Sequence, residues 1–195
     1  MEKNNGYPSY LVTGIDMIEK IIVPFNLTDI QRYMAVLLDL ARGRSDLPGS
    51  EYNRRGYLTL MNGETGQIAF TLPFGEIPSE KIEKYFEYSQ EKAERLFSII
   101  NMHLPHMKHT SSFQSRNEAE QKYGGAIYLN CHTNISIFSF SGMPELIDEA
   151  MMLVLAERLR QDNHLKVFRS IEACQRNPYW EQLYTDFNQK MKVTA

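Results

Sequence analysis

The sequence predicts an α/β (α+β) fold in which two β-hairpins alternate with amphipathic helices. Two pairs of short runs rich in β-branched and aromatic residues are each joined by a polar turn. Between and around them, apolar residues recur at spacings of three and four, the period of a helix with one buried face. Gly, Pro and Ser punctuate the joins.

From the N-terminus, Ile15, Met17, Ile18, Ile21 and Ile22 suggest a short packing helix halted by Pro24. Thr28 is the expected N-cap of the next helix, with Asp29 in its first turn and Ile30, Met34, Leu37, Leu38 and Ala41 on one face before Gly43 closes it. Residues 44–54 have loop composition. Strands are expected over 56–61 and 67–72, around a turn in which Asn62-Gly63 supplies positive φ and Gly66 suits a bulge or left-handed closing residue. Pro73 should break the second strand. Ser79 then caps the longest helix, over 80–100, whose apolar positions include Ile82, Phe86, Ala93, Leu96 and Phe97.

A long loop over 101–122 carries three of the five histidines, and loops of such length are typically functional or disordered. The second hairpin, 126–129 and 135–140, turns through 130–134. Ser141-Gly142 ends it, and Pro144-Glu145 opens a helix with an acidic residue at the positive end of its dipole. That helix should bury Leu146, Ile147, Ala150, Met151, Val154 and Leu155 and leave Glu149, Glu157, Arg158 and Arg160 in water. A last helix is expected over 178–191, with Trp180, Leu183, Tyr184 and Phe187 on its apolar side.

A chain of 195 residues is long enough for one core, burying roughly 70% of its unfolded surface. A single domain over 1–195 is therefore expected. The formal charge of −3 gives no reason to expect nucleic acid or an anionic membrane as partner. No apolar run approaches the ~20 residues of a membrane span, and the start MEKNNGYPSY lacks the apolar core of a signal peptide. A cytoplasmic location is the expectation. Cys131 and Cys174 show no metal-ligand spacing and read as free thiols.

His103, His106 and His109 form H-x-x-H-x-x-H and are the candidate metal or haem ligands, because neutral imidazole is available near pH 7. Pro105 disfavours placing them on one helix face, so a solvated loop is the bland alternative. His132, beside Cys131 in the second hairpin turn, is a further candidate for cofactor binding. The neighbouring Cys131-His132 pair is no nucleophilic dyad, since adjacent strand residues point to opposite faces. His164 reads as a C-terminal capping residue. Asp148-Glu149 is explained by its place at a helix start rather than as an acid–base pair. Gly124-Gly125 precedes a strand and lacks a following Lys-Ser/Thr, so it reads as a tight backbone turn or a close approach of another chain or a ligand rather than a phosphate loop. No catalytic residues are assigned, and whether the chain is an enzyme stays open. One that degrades haem or processes a small organic acid would have no recognisable catalytic constellation to support it, which favours a non-catalytic role.

The element order, with Gly124-Gly125-Ala126-Ile127 before one strand, Ser141-Gly142-Met143-Pro144 after the next and Asp148-Glu149-Ala150 on the helix, resembles the GlcG/HbpS-type haem-binding family, which includes PduO C-terminal domains. Gly66 in the first hairpin and Lys92-Ala93 on the long helix agree with it. The resemblance covers about 28–159, leaving 160–195 as a C-terminal extension. It implies a profilin-like fold, an antiparallel sheet carrying helices, and a homo-oligomer that binds haem or another tetrapyrrole as its small-molecule ligand. The chain departs from the family at Leu72-Pro73-Phe74-Gly75 and in the bulky Tyr85, Phe86, Tyr88 and Phe97 of the long helix. Those departures bear on the ligand site more than the fold, and leave open a structural or interaction subunit that keeps the scaffold without the site.

Overall fold

The computed structural model describes residues 25–43, 55–102, 110–131, 134–163 and 171–193. The expected helix over 15–22 lies outside them. The described elements run α1 (Leu27–Gly43), β1 (Gly56–Asn62), β2 (Ile68–Phe74), α2 (Ser79–Met102), two short 3₁₀ turns (Ser112–Ser115 and Glu118–Glu120), β3 (Ala126–Cys131), β4 (Asn134–Ser141), α3 (Glu145–Asp162), α4 (Ile171–Arg176) and α5 (Trp180–Val193). The strands form one antiparallel sheet in the order β2-β1-β4-β3. The two predicted hairpins are thus joined side by side through β1 and β4.

Strand alternation divides the core into two layers. Leu58, Leu60, Ile127, Leu129, Phe138 and Phe140 point to the side covered by α1, α3 and α5. Met61, Ala126 and Ile137 point to the other, against Ala93 and Leu96 of α2. Thr59 also faces α2, where its hydroxyl lies 2.8 Å from that of Ser89. The fold is therefore the expected α+β one, with helices packed on both faces of the sheet. Among the described residues no helix is long and apolar enough to cross a membrane.

Several local expectations are corrected. Helix α1 begins at Leu27, and its cap is Asn26, whose Oδ1 accepts the Thr28 amide at 2.8 Å. Neither Asn62 nor Gly63 takes a positive φ; Asn62 Oδ1 instead accepts the amides of Glu64 and Thr65. Gly66 does close the turn at φ 73°. Pro73 stays inside β2, opposite Tyr57, because β2 is an edge strand and needs no outward amide donor.

The largest difference is α3. Ile147 through Glu157 are all buried, including Glu149 and Glu157, which were expected to face water. The sheet covers one side of the helix, and α1, α4 and α5 cover much of the rest. The extension after Leu159 thereby completes the core, supplying Leu183, Phe187 and Met191.

Candidate functional site

Lys92, Gly125, Gly142 and Asp148 meet at one point. Lys92 reaches from the middle of α2 beneath the end of β4, where its ammonium lies 2.9 Å from Asp148 Oδ2 and donates to the Phe140 carbonyl at 2.9 Å. Asp148 Oδ1 accepts the Met143 amide at 3.1 Å. The two side chains are 3% and 0% exposed. Burial pushes the Asp148 carboxyl up to about 6, while Lys92 and the amides of Met143 and Gly142 pull the other way. Asp148 thus closes a buried ion pair, and is no simple complement to the helix dipole.

The glycines are explained by the same pair. Gly125 has φ 121°, and a Cβ there would stand 2.9 Å from each of Asp148 Cβ, Lys92 Nζ and the Phe140 carbonyl. A Cβ on Gly142 would stand 1.8 Å from the Arg55 carbonyl. The close approach at Gly125, expected from another chain or a ligand, is made within this chain, by two side chains and the Phe140 carbonyl.

A second buried carboxylate follows. Glu149 accepts from Ser111 Oγ, from Arg176 Nη2 at 2.5 Å and from Asn177 Nδ2 at 2.9 Å. Asn177 also donates to the Leu146 carbonyl at 2.8 Å. These bonds tie the segment before the first 3₁₀ turn and the end of α4 onto α3. Arg176 lies 4.0 Å above the Phe113 ring, which completes its setting. Cys174 is partly buried, and burial raises its thiol to about 12, so it is no nucleophile at neutral pH.

Above the Lys92–Asp148 pair opens a cleft of about 410 Å³, between the first half of α2 and the β4–α3 turn. Tyr85, Tyr88, Tyr123, Met143 and Pro144 wall it, Lys84 and Glu145 stand among its polar groups, and Lys92 lies within it. The Tyr88 hydroxyl donates to Gln121 Oε1 at 2.6 Å. None of the described residues lining this cleft is a histidine or cysteine. Its donors therefore fit a haem iron poorly: imidazole and thiolate are lacking, the Tyr88 phenol is already bonded, and Met usually joins an imidazole on the iron rather than replacing one.

His103, His106, His109 and His132 lie outside the described residues, as does His164. Their described flanks are informative. Ile100 and Phe97, near the end of α2, pack in one cluster with Ile68 and Tyr128. Thr110, on the far side of the first histidine stretch, accepts the Tyr128 amide at 2.9 Å. Tyr128 leads into Cys131, and β4 starts again at Asn134; at ~3.3 Å per residue the strand covers about 10 Å in that interval. The chain thus enters and leaves both histidine stretches near one end of the sheet. Lys92 and the cleft lie some 15 Å back along α2 from Met102, at 1.5 Å per residue. Among the described residues no group of three or more His, Cys, Asp or Glu side chains is placed to hold a metal ion.

An antiparallel four-stranded sheet with helices on both faces defines the molecule as an α+β protein with a small-molecule-sized cleft at one end of its long helix. No protein-family model matches the chain, and no curated protein sequence matches it either. A solved structure, a PduOC–haem complex, superposes on 69% of this chain and 94% of its own length, with 10% sequence identity and a TM-score of 0.44. A likeness at that level bears on neither ligand nor site residues.

Proposed function

We propose that this chain is a binding protein for haem or another tetrapyrrole, without a catalytic step of its own, ligated through His103, His106, His109 or His132. The supporting observation is that the described residues flanking both histidine stretches come together at one end of the sheet, through Thr110, Tyr128 and Ile100. Iron in a haem takes one or two protein ligands, and imidazole is a common one. Two separate stretches entering one region suit that number. The same reading carries a cytoplasmic homo-oligomer; the exposed Ile82 and Phe86 of α2 give it apolar surface for a subunit contact.

Absorbance titration of the apo-protein with haem tests this reading. A saturable Soret shift is expected in the parent and lost when His103, His106 and His109 are all replaced by alanine. Retention there with loss in His132→Ala assigns the ligand to the hairpin turn. No shift in the parent overturns the proposal.

A structural or interaction subunit is the second reading, and one observation favours it. Lys92, Gly125, Gly142 and Asp148, which are among the residues behind the family resemblance, are occupied by contacts within the chain and need no ligand to explain them. A protein that stays colourless with haem yet sediments as an oligomer would match this second reading.

A further inference from the structure

We propose that the cleft between α2 and the β4–α3 turn is a binding site for a small planar aromatic carboxylate, separate from any tetrapyrrole site. The argument starts from charge. At the floor, Lys92 is neutralised by Asp148. At one side, Glu145 accepts the Gly124 amide at 2.8 Å and pairs at 3.2 Å with Arg116, a guanidinium it shares with the more exposed Glu118. Lys84 differs: its ammonium lies 5.4 Å from the centre of the Tyr88 ring and makes no salt bridge with a described carboxylate. Lys84 is therefore the exposed cation lining the cleft that is not already in a salt bridge with a described carboxylate, which suits a monoanion.

The floor adds a directional donor. An ammonium has three N–H groups, and Lys92 gives one to Asp148 and one to Phe140. The third has no acceptor among the described residues, and Lys92 lines the cleft, so a ligand oxygen reaching its floor would meet this donor. Multiply charged phosphate is disfavoured, because Asp148 and Glu145 stand beside those cations and no arginine lines the space.

The walls specify the rest of the ligand. Tyr88 and Tyr123 have ring centres 5.9 Å apart at an interplanar angle of 48°, a corner that a third ring can complete by offset or edge contact. Met143 adds a polarisable thioether, the group that packs well against ring edges. The 410 Å³ of space lies near the lower end of the roughly 300–1,000 Å³ range of small-molecule sites. A one- or two-ring acid matches it.

Calorimetric titration with benzoate, 4-hydroxybenzoate and indole-3-carboxylate, without haem, tests the proposal; benzamide and cyclohexanecarboxylate serve as the uncharged and non-aromatic controls. At least one of the three aromatic acids is expected to bind saturably, with each matched control about ten-fold weaker. Lys84→Gln alters an exposed residue and should fold normally. It is expected to weaken the acid about five-fold, as loss of a solvent-exposed ion pair does, and to leave benzamide unchanged. Tyr88→Leu, checked by its melting curve, should weaken both. Absence of binding by all three acids overturns the proposal, as does equal affinity for benzoate and benzamide, or an affinity for the acid that Lys84→Gln leaves intact.

Discussion

Asp148 carries the clearest single-residue consequences. Its carboxyl sits near 6 in the folded protein against an ordinary 3.8, so between those values the folded state holds a proton that the unfolded chain has released. Unfolding free energy then falls as pH rises through that window; the contribution is complete below about 3.8 and gone above about 6. Urea unfolding from pH 4 to 7 should show this decline, and Asp148→Asn should flatten it. At neutral pH the pair itself matters more. Lys92→Met or Asp148→Leu leaves one buried charge alone and should cost about 3–5 kcal/mol, whereas Lys92→Met with Asp148→Leu should cost distinctly less than the two added together. Additive losses in urea melts would mean that the two groups do not depend on each other. Gly125→Ala tests the same centre sterically. With φ at 121° and three atoms 2.9 Å from the new Cβ, it should lose at least about 2 kcal/mol.

At the scale of elements, the C-terminal extension is the revealing case. Phe187 is fully buried and meets the Tyr33 ring edge-on at 5.7 Å. Phe187→Ala should therefore cost about 3–5 kcal/mol, as for any core phenylalanine. A loss below 1 kcal/mol in chemical denaturation would show that α5 is not part of the core. The hairpins, α1, α2 and the start of α3 were legible because their signals are local: alternation, a turn residue, a three-four spacing. The burial of α3 was not. Glu149 and Glu157 fall where a wet face would fall; what makes the burial of Glu149 tolerable comes from elsewhere in the chain, Arg176 and Asn177, whereas Glu157 is held by Arg160, three residues on in the same helix. Lys92 likewise finds its partner far away in sequence. The cleft had one visible trace, the bulky Tyr85 and Tyr88 on a helix where small residues were expected. The spacing of tyrosines gives no hint that Tyr123 joins them. The candidate histidines have no side-chain geometry to compare, and only their flanks speak.

For the whole molecule, the question is whether the extension and the family-like core unfold together. The apolar cluster on one face of the sheet runs without interruption through Phe25, α1, all four strands, α3, Ala173 and α5. Polar ties reinforce it: Gln161 donates to the Tyr184 hydroxyl at 2.6 Å, and Lys190 pairs with Asp39 of α1. A docked appendage would have a core of its own or a wet seam, and neither is present among the described residues. We therefore expect one cooperative unit. The chain provides a built-in probe, because its only tryptophan, Trp180, opens α5 and stacks on Tyr184 at 4.9 Å. Its fluorescence reports the extension, while far-UV circular dichroism reports all helices and the sheet. In urea the two transitions should coincide, with the same midpoint and slope. A fluorescence transition at lower urea, with most of the dichroism intact, would make residues 171–193 a separately melting layer, and Phe187→Ala would then shift only the first transition.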